Sequence, residues 1–150
     1  MTTFKWTNPD TLASILTTEL NSLANSTSDT TGFSSLSSEI DNTVGLYQYI
    51  ELELHLAAQG GARSASGFVD IMIAAAVDST PTYPDDSNAA FTELLASFQF
   101  DAATTARTLT RTLIPIPPCK FKLYAWNKTG QALAASANTL KYRRHYSQGV

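Results

Sequence analysis

Cysteine, histidine and charge are all scarce in this chain of 150 residues. A single cysteine, Cys119, cannot form an internal disulfide, and with only two histidines no zinc site at usual ligand spacing can be assembled. No apolar run approaches the roughly 18 to 20 residues that span a bilayer, so no membrane segment is expected. The start, MTTFKWTNPD, lacks a basic region followed by a hydrophobic stretch, so no secretion signal is expected. The phosphate loop Gly-x-x-x-x-Gly-Lys-Ser, the dinucleotide signature Gly-x-Gly-x-x-Gly and the nucleophile motif Gly-x-Ser-x-Gly are all missing. Charged residues make up only 15% of the chain, and acids are confined to one part of it. Residues 1–101 carry all thirteen acids and two bases, Lys5 and Arg63, a net −11; residues 102–150 carry eight bases and no acid, a net +8.

What is abundant is serine and threonine, 35 residues together, beside an apolar fraction of 43%. Neutral hydroxyls and low charge suit half-exposed pleated surfaces, and the length suits one domain with its own core. The charge split has two readings. Basic C-terminal strands can lie beside acidic N-terminal strands inside one domain, or a dipolar subunit can present its basic face to an acidic neighbour. Nucleic acid is a weak candidate for a chain of pI 5.2 with no recognition motif.

Periodicity locates strands. In Tyr49–Leu56, Ile50, Leu52, Leu54 and Leu56 share one face, and Glu51, Glu53 and His55 the other. Phe68 to Val77 alternates in the same way, with Val69, Ile71 and Ile73 opposite Asp70 and Met72. The Gly- and Ser-rich stretch Gly60–Gly67 between them predicts a hairpin that pairs these two strands antiparallel. Ile50, Leu52, Leu54, Val69, Ile71 and Ile73 are the expected core. Asp78–Asn88, with two prolines, predicts a polar loop; its three aspartates lack EF-hand order, so no calcium site is expected. Further strands are expected over 91–100, 107–114, 121–126 and 138–146, with an extended turn at Pro115–Pro118 and another turn at Asn127–Gly130. Towards the N-terminus, residues 1–10 read as an arm. A helical stripe at Leu12, Ile15, Leu16, Leu20, Leu23 and Ala24 conflicts with β-branched Thr17 and Thr18, so a short helix or arm and then a strand at 19–23 are expected, followed by a strand at 33–41. The total is about eight antiparallel strands in one β-sandwich over residues 11–150, most simply a jelly roll with extended termini.

Catalytic constellations are thin. Glu51 and Glu53 share an outer strand face, where carboxylates are ordinarily solvated, and neither His55 nor His145 follows a nucleophile motif. No catalytic residue, cofactor or metal is predicted. Tyr47, Tyr49, Tyr124, Trp126, Tyr142 and Tyr146 could form a sugar-stacking platform, although core or interface use of such rings is commoner.

The segments Leu16–Asn25, Ser38–Asn42, Ile114–Lys122, Thr129–Ser136 and Asn138–Arg143 resemble a family of small structural proteins from the virions of tailed bacteriophages. Cys119 stands where the Pro-Pro-x-Lys-Phe turn would carry glycine. The resemblance implies a protein made in the bacterial cytoplasm and built into the phage particle, without enzymatic activity. Together with the sandwich it points to a head decoration or cement protein, a homo-oligomer whose partner is the major capsid protein or another virion protein. A tail, collar or fibre-associated component and a carbohydrate-binding attachment module are the alternatives. The interface is then expected at Phe4, Trp6, Lys141, Tyr142, Arg143, Arg144 and Tyr146: aromatics at the two ends, and cations of the acid-free region.

Overall fold

The computed structural model describes residues 4–6, 9–28, 31–76, 83 and 93–149. Ten strands follow in chain order among these residues: β1 (Phe4–Trp6), β2 (Ala13–Leu16), β3 (Ile40–Asp41), β4 (Tyr49–Leu56), β5 (Phe68–Ala76), β6 (Glu93–Gln99), β7 (Arg107–Pro115), β8 (Lys120–Lys128), β9 (Thr139–His145) and β10 (Ser147–Gly149). Eight of them form two four-stranded antiparallel sheets, ordered β2-β9-β4-β7 and β3-β8-β5-β6. The pairs β2·β9, β3·β8, β4·β7 and β5·β6 are nested one inside the next. A ribbon doubled at the β5–β6 connection and wrapped so that successive pairs fall in alternate sheets is a jelly roll. The protein is therefore an all-β single sandwich, as its alternating pattern implies.

The same topology corrects one expected pairing. β4 and β5 lie in different sheets, β4 between β9 and β7 and β5 between β8 and β6. Residues 57–67 do not turn back as a hairpin but cross from one layer to the other. Alternation fixes which face of a strand is buried, and it is silent about which strand lies alongside.

Between the layers, Ile50, Leu52, Leu54 and Leu56 of β4 and Leu140 of β9 meet Val69, Ile71, Ile73, Phe98, Phe121 and Leu123 of the other sheet, every one of them buried. A smaller cluster covers the outside of the second sheet, where Met72, Ala74 and Tyr124 pack under Phe33, Leu36 and Tyr83. Asp70 and Met72 thus leave the main core yet remain buried. Burial in this cluster pushes the Tyr124 phenol up to about 12.

The N-terminal third departs from expectation. The short helix or arm expected from about Asp10 is replaced by β2, and no strand forms at 19–23; β2 gives way to a single 3-10 turn, Thr18–Leu20, that buries Leu20. The expected strand at 33–41 is regular only at β3. Before it, the chain runs along β8 with three residues to every two of its neighbour: Ser34 N–H donates to the Ala125 carbonyl, Ser37 N–H donates to that of Leu123, and Ile40 pairs with Phe121. The hydroxyls of Ser34 and Ser37 accept the Ala125 and Leu123 N–H groups, both at 2.9 Å, in place of backbone carbonyls. Serine side chains here take over a sheet edge that a regular strand would fill. Most of the loop expected at 78–88, the end of the second strand at Val77, and Phe91 lie outside the described residues, Tyr83 excepted. β8 also extends two residues into the turn expected at 127–130.

Candidate functional site

Residues 4–6 and 147–149 come together beyond the start of β2 and the end of β9. β1 pairs antiparallel with β10, Phe4 opposite Gly149 and Trp6 opposite Ser147, in a two-stranded ribbon that, among the described residues, joins neither four-stranded sheet. Residues 4–6 are therefore not a free arm in this structure but half of a ribbon. Beside it, Asp10 N–H donates to the Arg144 carbonyl at 2.8 Å. The Arg144 guanidinium donates to Asp10 Oδ2 from Nε at 3.0 Å and from Nη2 at 2.8 Å, and to the Asp41 carbonyl from Nη1 at 2.6 Å. It also lies 4.5 Å from the centroid of the Tyr47 ring, whose hydroxyl donates to Asp10 Oδ1 at 3.0 Å. Hydrogen bonding to this carboxylate raises the Tyr47 phenol above its ordinary value. Tyr146 meets Tyr47 edge-on at 5.8 Å, and His145, buried, stacks on Tyr49 at 5.7 Å.

The other two cations of β9 also have partners in their own chain. The β4–β9 register sets Glu51 opposite Arg143 and Glu53 opposite Lys141. Arg143 Nε bonds Glu51 Oε2, and Lys141 Nζ lies 3.3 Å from Glu53 Oε1. Lys120 bridges Glu39 at 2.8 Å, and Arg107 Nε binds Asp101 at 3.1 Å. The acid-poor and acid-rich parts of the chain are thus interleaved strand by strand, which is the first of the two readings of the charge split. Exposed pairs of this kind are screened by solvent and chiefly fix register.

Of the expected interface residues, Arg144 and Tyr146 come together at the terminal end of the sandwich, in line with the ribbon that holds residues 4 and 6. Lys141 and Arg143 lie instead on the outer face of the first sheet, with a shallow groove of about 310 Å3 between Arg143, Glu51, Glu53, Thr110 and Leu12. Tyr142 turns the other way and packs against the core. The aromatics weighed as a sugar platform are divided among three places: Tyr124, buried, and Trp126 both meet Phe33 outside the second sheet, edge-on at 5.8 Å and stacked at 4.8 Å, while Tyr49 lies on the first sheet and Tyr47 with Tyr146 at the end.

At the opposite end, the four connections 17–39, 57–67, 100–106 and 129–138 are tied by polar groups that periodicity does not flag. Asn127, fully buried, donates to the carbonyls of Leu23, Ala24 and Gln131 and accepts from Thr129 N–H and its hydroxyl. Asn138 donates to the Ala134 carbonyl at 2.7 Å and accepts from Ala57 N–H at 3.0 Å. Arg63 is buried with its Nη2 on the Thr105 carbonyl, 2.8 Å, and 3.5 Å from Asp101. The hydrogen bond from Arg107, followed by that from Arg63, holds the Asp101 carboxyl below its ordinary value. Asparagine beside turns is the only sequence signal for this set.

Among the described residues no group of three or more His, Cys, Asp or Glu side chains could hold a metal ion. Burial raises the Cys119 thiol, which opposes thiolate chemistry there. Cys119 has no left-handed φ, so its turn does not require glycine. Among the described residues no helix is long and apolar enough to cross a membrane. No protein-family model matches the chain, and no curated protein matches it. Among solved structures it has a likeness to the enzymatically active domain of bacteriophage CBA120 tailspike protein 4, at 11% identity and a TM-score of 0.34, covering 99% of this chain and 19% of that one.

Proposed function

We propose that this protein is a non-enzymatic structural component of a tailed-phage virion, and more specifically a head decoration protein that adheres to the capsid exterior and reinforces contacts between capsid subunits. The observation that carries the reading is the β1–β10 ribbon. A two-stranded ribbon is marginal by itself, and this one belongs to neither sheet, while the buried core runs from Ile15 to Leu140. Such a ribbon gains stability when a neighbour adds a strand to it or covers its face, which is the mode of adhesion that strand addition provides. The rigid jelly roll behind it, with its connections tied by buried asparagines, supplies the block that the ribbon anchors. Attachment through many identical contacts on a symmetric shell lets modest single affinities add.

Deleting residues 1–8 tests this. The shortened protein should stay folded, with a melting temperature close to that of the parent, and should fail to co-sediment with purified heads. A large drop in melting temperature, or undiminished co-sedimentation, would overturn the ribbon's role. Copy number from quantitative mass spectrometry of intact particles separates decoration, on the order of hundreds of copies set by shell symmetry, from a tail or attachment component present in a few.

A further inference from the structure

The outer strands of the two sheets are not equally guarded. β2 has four residues and a register shift between Ser14 and Leu16; β3 has two residues and continues into the serine-capped run along β8. β6 has its Ser97 carbonyl taken by Arg111 Nε at 3.0 Å, an arm that closes the open side of the sandwich over the Phe98 ring. β7 differs. It has nine residues, bonds β4 on one side, and among the described residues nothing pairs with its other edge. Its outward side chains Thr108, Thr110 and Thr112 are exposed and uncharged, and no lysine or acid stands on the strand. Of its two arginines, Arg107 is held by Asp101 and Arg111 is turned to β6. A long, neutral, exposed edge of this kind is a template for another strand.

We propose that β7 pairs antiparallel with β7 of a second copy about a two-fold axis at Thr110, joining the two first sheets into one continuous eight-stranded sheet. The occupant is argued from self-complementarity. This register sets Thr110 against Thr110 and Thr108 against Thr112, cross-strand pairs of a stabilising type, and sets Arg111 against Leu109, so that no cation faces a cation. The alternative centred on Leu109 would oppose Arg107 to Arg111. The β-bulge at Thr112 and Leu113, two residues opposite Glu51, marks where the paired segment stops. An isologous pairing also uses both open edges at once and leaves only guarded edges outside, so assembly closes at two copies. The proposal goes beyond the virion reading and does not rest on it.

Sedimentation velocity and register-specific crosslinking test it, on the full chain. The parent protein should sediment as a species of twice the 16.2 kDa chain mass at about 100 µM and dissociate on dilution. Thr110→Asp and Thr110→Lys, on an exposed position that leaves the core intact, should each raise the dissociation constant about tenfold or more by opposing like charges, and an equimolar mixture of the two should dimerise again. In a Cys119→Ser background, Thr110→Cys should form an intermolecular disulfide and Thr108→Cys should not. A parent protein that is monomeric at that concentration, a dimer indifferent to both charge variants, or crosslinking at Thr108 in preference to Thr110 would overturn the proposal.

Discussion

Arg144 and Asp10, 134 residues apart in sequence, are joined twice: Asp10 N–H donates to the Arg144 carbonyl, and the Arg144 guanidinium returns two donors to Asp10 Oδ2. The contact fixes the chain leading out of β1 against the end of β9, so it sets the base from which the terminal ribbon leaves. Asp10→Ala leaves a half-buried guanidinium and the Tyr47 hydroxyl without their carboxylate, and should cost about 1 to 3 kcal/mol in urea unfolding. Loss below a few tenths would mean that water replaces the carboxylate without penalty.

Asn127→Ala should be more damaging than its small change in volume implies. It removes the donor to three loop carbonyls and the acceptor of the Thr129 amide in a place closed to solvent, and each orphaned buried group costs about 1 to 3 kcal/mol. A double-mutant comparison with Thr129→Ala should show strong non-additivity, since the two side chains share one network. Additive losses would contradict the network.

Leu113 invites the opposite experiment. Its φ of 58° lies in the left-handed region and its side chain is half exposed, so Leu113→Gly relieves backbone strain while surrendering little burial. Stability should be unchanged or rise by up to about 1 kcal/mol, although glycine within a strand ordinarily destabilises. A clear loss would show that the leucine side chain contributes packing the relief does not offset.

Acid should weaken the fold through three identifiable carboxyls. Lys120 holds Glu39 below its ordinary 4.5, hydrogen bonds from Thr43 hold Asp41 below 3.8, and Arg107 holds Asp101 below 3.8. Each binds a proton less readily folded than unfolded, so its stabilisation is complete above the ordinary carboxylate value and is lost as pH falls through the lower, folded value. Urea midpoints should therefore drop between about pH 5 and about pH 3, and Asp101→Asn should flatten that drop while lowering the midpoint at neutral pH. An identical pH profile for the variant would remove Asp101 from the account.

How far the chain discloses this architecture depends on which quantity is asked for. Faces were legible: Ile50, Leu52 and Leu54 are buried and Glu51 and Glu53 are not, because a period of two is a local property of the backbone. Partners were not, since β4 begins at residue 49 and lies beside strands that begin at residues 107 and 139, and the glycines of 57–67 serve a crossing as well as they would serve a hairpin. The triplets Phe33-Ser34-Ser35 and Leu36-Ser37-Ser38 carried a three-residue repeat, apolar-Ser-Ser, that neither helical nor strand templates detect. The opposite charges of the two parts of the chain were legible, whereas the pairing of Arg144 with Asp10 at the terminal end and of Arg143 with Glu51 on the first sheet depends on a register that only the folded sheet defines. Tyr142 follows the same rule: its alternation with Leu140 against Lys141 and Arg143 places it on the core face, where it packs, and so apart from the outward cations with which an interface was expected.

The nested order of pairs also governs how the molecule can be made. β9 lies in the interior of the first sheet, between β2 and β4, yet it is the last of the eight sandwich strands to be synthesised. Until residues 139–145 have left the ribosome, β2 lacks the neighbour that attaches it and β4 has one side unpaired, so the first layer of the sandwich cannot close. The second layer, with β3, β5, β6 and β8 already present, can assemble earlier and must wait with its apolar face uncovered. Such a chain completes its fold late and through contacts distant in sequence, which slows folding and lengthens exposure to aggregation.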